Sequence, residues 1–209
     1  VNAGDTIASG GNYNTVIGDE AGTALTTGDN NTFVGYASGD AQTTADNNTA
    51  VGYEALSTNV NGSGSVAIGF RALKTQNYGS ATDSLNVAIG NNAGTSITTG
   101  VRNTIVGSLS GDALTDADRN IAIGYNAIGT DTQGSRAVGI GYGALQTQNF
   151  SSATDNYNVG VGYNAGGSIT TATLNTLIGS LSGDALTDGS GNVAVGYDAL
   201  TSDTRGKNS

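Results

Sequence analysis

Asn86 to Gly94 reads NVAIGNNAG, and the same phrase stands as NTVIGDEAG from Asn14 and NVAVGYDAL from Asn192. Its general form, Asn-Thr/Val-x-Val/Ile-Gly-x-x-Ala/Ser, occurs eleven times along 209 residues. The central glycines are Gly18, Gly35, Gly52, Gly69, Gly90, Gly107, Gly124, Gly141, Gly162, Gly179 and Gly196, spaced by 17, 17, 17, 21, 17, 17, 17, 21, 17 and 17 residues. Three steps of 17 and one of 21 make a superrepeat of 72, so the chain divides at about 14–85, 86–157 and an incomplete 158–209. Self-similarity of this kind dictates a stacked architecture before any local propensity is considered. Residues 1–209 therefore read as one repeat domain.

The residue before each key glycine is Val or Ile, and the one two places earlier is Thr, Val or Ile. β-branched residues at period two predict a strand with one buried face. The Val/Ile row is expected to form that face. A helix would not accept so many glycines and β-branched residues in each short stretch. Four residues after the key glycine the slot alternates: Gly22 and Gly39, then Leu56 and Leu73, then Gly94 and Gly111, then Ile128 and Leu145. In glycine coils an aliphatic residue often follows three places later, as at Leu25, Ile97, Leu114, Ile169 and Leu186. The core is thus expected to be filled from either side of the turn. A second, weaker strand is predicted at TALTT from Thr23 and TSITT from Thr95. Two short strands and two turns per coil give an all-β parallel β-solenoid, or β-roll, of eleven coils. At about 4.8 Å per coil the rod is about 50 Å long. The 21-residue coils, through LKTQNYGSATDSLN (Leu73 to Asn86) and LQTQNFSSATDNYN (Leu145 to Asn158), place four extra residues on one side of it. The last stretch, Thr201 to Ser209, matches Gly129 to Ala137, which leads into another strand, and this predicts that the polypeptide continues.

Composition removes whole classes of chemistry. There is no Cys or His, so no disulfide, thiolate, iron–sulfur cluster, imidazole ligand or Ser-His-Asp triad is available. With 17 acidic and 7 basic residues the net charge is −10, which disfavours nucleic acid as a partner. No apolar run approaches the length of a membrane span, so no membrane insertion is expected of this segment. The 34 glycines fall in phase with the large apolar residues, which separates the chain from a disordered glycine-rich linker.

Phrases such as SVAIGFRAL (Ser65 to Leu73) and NVAVGYDAL resemble the head repeats of trimeric autotransporter adhesins, and NTxxGxxA is similar to repeats in phage tail-fibre and other surface-fibre proteins. The resemblance covers all eleven coils. It implies a left-handed parallel β-roll, a homotrimer, an extracellular place on a bacterial surface or virion, and attachment to a host-surface receptor or glycan. Two departures stand out: the coil is longer than is typical of adhesin heads, and the 72-residue superrepeat is not a feature of that family. For a trimer the small row at the strand centre is the candidate interface: Ala50, Ala67, Ala88, Ala122 and Ala194, interrupted by Phe33, Ile105 and Leu177. Small residues permit close approach between chains, and exposed large ones favour association.

Other candidates stand beside plainer readings. The Asn row from Asn14 to Asn192 suits a stacked amide ladder better than a ligand-facing one. The acidic turns at Asp116–Asn120, Ala45–Asn48 and Thr187–Asn192 carry oxygens able to bind calcium, but they lack EF-hand spacing and read first as solvated turns, so no cofactor is expected. The row Tyr36, Tyr53, Phe70, Tyr125, Tyr142, Tyr163 and Tyr197 suits packing before sugar binding. The inserted loops, with Gln76, Asn77, Tyr78, Gln148, Asn149 and Phe150, are the candidate receptor contacts. The leading function is a structural and adhesive fibre segment without catalysis. The alternatives are a monomeric ice- or carbohydrate-binding solenoid, for which the regular Thr-rich turns and low charge speak and against which the Thr pairs count, being adjacent at Thr26-Thr27 and Thr98-Thr99 where an ice-binding face usually shows Thr-x-Thr, and, behind it, a polysaccharide-degrading spike.

Overall fold

The computed structural model describes residues 2–206; Lys207 to Ser209, the end of the final stretch read above, lie outside the described residues. The chain is an all-β parallel solenoid of eleven coils with no helix among the described residues. Each coil contributes one three-residue strand, from Thr15–Ile17 to Val193–Val195, to a single eleven-stranded sheet in chain order. Registration is in phase throughout: Thr15 pairs with Thr32, Thr32 with Thr49, Thr49 with Val66 and Val66 with Val87. Identical positions of successive coils therefore form straight columns.

The key glycine ends the strand at φ 127 to 142, a region closed to residues with a side chain. At Gly107 an added Cβ would lie 2.5 Å from the carbonyl oxygen of Gly124 in the next coil. Spacing between coils is thus set by glycine stacked on glycine.

Two expectations are corrected by the backbone. The stretches at Thr23 and Thr95 are turns, not a second strand; among the described residues, strand pairing outside the main sheet is confined to Gly62–Ser63 with Thr82–Asp83 and Gly134–Ser135 with Thr154–Asp155. These two short ladders flank the insertions of the 21-residue coils, whose tips, Gly79–Ala81 and Ser151–Ala153, are exposed. The strand faces are also inverted relative to the sequence reading. The strand-centre residues Phe33, Ala50, Ala67, Ala88, Ile105, Ala122 and Leu177 are fully buried inside their own chain, and Ala194 nearly so, while the Val/Ile row faces out. The interior is one side chain thick, so a small centre residue leaves room for the aliphatic group coming from the opposite turn.

That opposite wall behaves as the alternation predicted. Leu25, Leu56, Leu73, Ile97, Leu114, Ile128, Leu145, Ile169 and Leu186 are all fully buried. Where the fourth residue after the key glycine is Gly, the strand centre of the second such coil is large: Phe33 lies over Gly22 and Gly39, and Ile105 over Gly94 and Gly111. Where that slot is Ile or Leu, the centre is small, as at Gly139, whose Cβ would meet Ile128 of the coil before; the first glycine-slot coil after it also keeps a small centre, since a Cβ on Gly160 would meet Leu145 of the coil before. The superrepeat is a packing rhythm that keeps interior volume constant.

Candidate functional site

Burial removes most of the proposed receptor contacts from the surface. Tyr78 and Phe150 are 6% and 5% exposed, and Gln76 and Gln148 are fully buried. The ring of Tyr78 covers Gly62, and that of Phe150 covers Gly134, where a Cβ would come within 2.7 Å of each ring. The Tyr78 hydroxyl donates to the Gly100 carbonyl at 2.7 Å, and burial pushes its pKa up to about 12. The Gln76 amide oxygen accepts from Asn86 at 2.9 Å; the Gln148 amide donates to Asp131 at 2.6 Å and accepts from Asn158 at 2.8 Å. These side chains plug the corner opened by the four extra residues. Asn77 and Asn149 are exposed, so the accessible loop surface consists of those two and the tips at 79–81 and 151–153.

The Asn row is structural. The Asn86 side-chain oxygen accepts the Asn103 backbone N–H at 2.8 Å, the Asn103 oxygen accepts that of Asn120 at 2.9 Å, and the Asn103 amide donates to Ala117 at 2.8 Å. Each Asn satisfies groups of the next coil that would otherwise be buried without partners. The acidic turns do similar work at the surface: Asp46 accepts from the Asp29 N–H at 2.7 Å, and Asp118 from that of Val101 at 2.8 Å. Threonine hydroxyls link coils as well, Thr26 to the Thr43 carbonyl at 3.0 Å and Thr98 to that of Thr115 at 3.3 Å. Asp40 is half-buried. One of its carboxylate oxygens has no partner, and burial raises its pKa to about 6.

The aromatic row forms two stacks. Tyr36, Tyr53 and Phe70 follow at centroid spacings of 5.2 and 5.3 Å, and Tyr125, Tyr142 and Tyr163 at 5.2 and 5.4 Å. Inner rings spend both faces on neighbours, which leaves edges and hydroxyls outside. Sugar stacking needs a free face, which remains at stack ends such as Tyr163 and at Tyr197, 74% exposed and outside both stacks.

One continuous surface feature runs along the strand face expected to be buried. Both outward positions of all eleven strands are Thr, Val or Ile, without a charge. The columns run from Thr15 to Val193 and from Ile17 to Val195, with Ile89 38%, Ile178 40% and Val195 67% exposed. At about 50 Å by about 10 Å, this face has a plan area near the upper end of the apolar patches that monomers leave exposed. Elsewhere the surface offers a hollow of about 590 Å³ at the last coil, lined by Asp198, Leu200, Thr201, Ser202 and Asp203, and a small polar one at Gln146, Asn164, Gly167, Ser168 and Asp184. Among the described residues no three carboxylates gather in a group able to hold a metal ion. No family model, curated protein or solved structure matches this chain.

Proposed function

We propose that the chain is a structural and adhesive segment of an extracellular fibre, on a bacterial surface or a virion, in which three copies pack along the outward face of the eleven-stranded sheet. The observation that carries this reading is the uncharged, β-branched face running the length of the rod. A surface of that extent gains by leaving water, and three parallel rods can bury it around a common axis. The repeat's resemblance to adhesin-head and tail-fibre sequences supports the trimer and carries the left-handed winding. The interface belongs to the Val/Ile and Thr/Val columns, not to the small row, which lines the interior. Attachment to a receptor or glycan falls to the exposed tips at 79–81 and 151–153 with Asn77 and Asn149, the places where the rod departs from regularity. The reading assigns the segment no catalysis and no cofactor.

Light scattering over a range of concentrations tests the assembly. The expected mass is three times the 20.6 kDa of one chain. A concentration-independent mass of one chain would overturn the trimer and favour a single-chain solenoid.

A further inference from the structure

The two edges of the outward face match each other in six of the eleven coils. Five residues before the key glycine, at the entrance to the strand, stand Asn30, Asn47, Gly64, Arg102, Arg119 and Arg136 in the second, third, fourth, sixth, seventh and eighth coils. One residue after the key glycine, at the exit, the same coils carry Tyr36, Tyr53, Phe70, Ser108, Tyr125 and Tyr142. Where the entrance bears hydrogen-bond donors, Asn or Arg, the exit bears a hydroxyl. Where the entrance is Gly64, the exit is Phe70, which has none. The pairing lapses at Leu85 with Asn91, Leu174 with Ser180 and Gly191 with Tyr197, and the first and ninth coils carry different pairs, Tyr13 with Asp19 and Tyr157 with Tyr163.

Within one chain the two edges lie at opposite ends of the strand and do not meet. Arg102 and Arg119 are exposed, and the Arg119 guanidinium is 3.7 Å from Asp118. Arg136 lies 2.9 Å from Asp155 and over the ring of Tyr157 at 5.6 Å. The tyrosine rings are stacked face to face, so their free atoms are edges and phenolic oxygens, and a guanidinium offers several N–H donors to such a row.

A threefold assembly brings the edges together. Its contacts are heterologous, so the entrance edge of one copy faces the exit edge of the next. The apolar columns cannot set the axial register alone, because Val, Ile and Thr repeat at every step and a slip of one coil loses little. We propose that the donors Asn30, Asn47, Arg102, Arg119 and Arg136 of one copy hydrogen-bond to the hydroxyl row of the next copy at the same coil level, and that this edge-to-edge match fixes the axial register of the trimer. The proposal rests on the threefold packing argued above and deepens it.

Two exposed positions test it, in a chain that has no native cysteine. Arg119→Cys chains and Tyr125→Cys chains are refolded together and treated with a short bismaleimide, since a disulfide would require Cβ atoms about 3.5–4.5 Å apart. A cross-linked dimer is expected from the mixture, in several-fold excess over either variant alone and over a mixture of Arg119→Cys with Tyr53→Cys, four coils away. Arg136→Cys with Tyr142→Cys is the second pair and should behave alike. A particle of trimer mass that cross-links no better at level coils than at distant ones would overturn the edge match while leaving the trimer intact. So would an unchanged cross-link between Arg136→Cys and Tyr142→Cys chains in an Arg102→Ala/Arg119→Ala background, which removes both donors; retention on a sulfated polysaccharide resin lost in that same background would assign the arginines to a polyanion instead. A monomer by light scattering would overturn both readings at once.

Discussion

At the scale of single residues, the key glycine is held by contact as well as by conformation. Gly107 sits at φ 131, and its Cβ position lies 2.5 Å from the Gly124 carbonyl oxygen and 2.7 Å from the carbonyl carbon. Gly196 has nearly the same backbone, φ 127, but nothing within 4 Å of its Cβ position. Comparing the two separates the causes. Gly196→Ala should cost only the backbone strain, about 1–3 kcal/mol. Gly107→Ala adds a clash with a backbone that cannot retreat without separating two coils, and should cost on the order of 4 kcal/mol or more. Urea unfolding midpoints of the two variants check this; equal losses would mean that φ, and not coil spacing, selects glycine here.

At the scale of the coil, the alternation of Gly with Leu or Ile at the fourth place after the key glycine is a choice of which wall fills the interior. All members of this slot share φ near +50 to +60, from Gly22 through Leu56 and Ile128 to Leu200, so aliphatic residues occupy a backbone region that they ordinarily avoid. The filling from either wall was legible in the sequence, because Leu114 appears where Gly111 leaves space and disappears where Ile128 fills it. The sense of the strand faces was not. Period two separates two faces without saying which is inside, and the habit of burying Val and Ile fails where the interior admits only one large side chain per coil. The supposed second strand misled for a related reason: Thr26 and Thr98 are β-branched, yet their hydroxyls bond to carbonyls of the next coil across a corner. Gly111→Leu should crowd Leu114 and Ile105, whose side chains would stand 2.9 and 3.2 Å from its Cβ, at a cost of about 1–3 kcal/mol. Adding Ile105→Ala and Leu114→Gln recreates the arrangement of Ala67, Leu73 and Gln76, with Asn120 one coil on, where Asn86 serves Gln76. Thermal midpoints should show the triple variant recovering more than half of the loss. A triple variant less stable than the single one would refute the volume rule.

At the scale of the whole molecule, the inversion of the strand faces decides what the rod can do. With the small residues inside, the β-branched columns are left outside, and a rod about 50 Å long carries an uncharged face from end to end while its net charge of −10 lies elsewhere. Segregation on this scale is not needed to fold one coil, since the coil is closed by glycine stacking, the amide ladder and the interior aliphatics. It matters between rods. Ile89→Lys together with Ile178→Lys places two charges on the face at positions 38% and 40% exposed in the single chain. Neither side chain contributes to the interior, so the far-UV circular dichroism of the variant should match that of the parent. In a trimer the same substitutions would bring three lysines together at each of two levels beneath desolvated apolar surface, and burying unpaired like charges is among the costliest changes an interface can suffer. The light-scattering mass should therefore fall from three chains to one, and added salt should restore little of it, because the loss comes from desolvation more than from repulsion across solvent. A variant that keeps both its secondary structure and its parental mass would show that the copies meet on another surface.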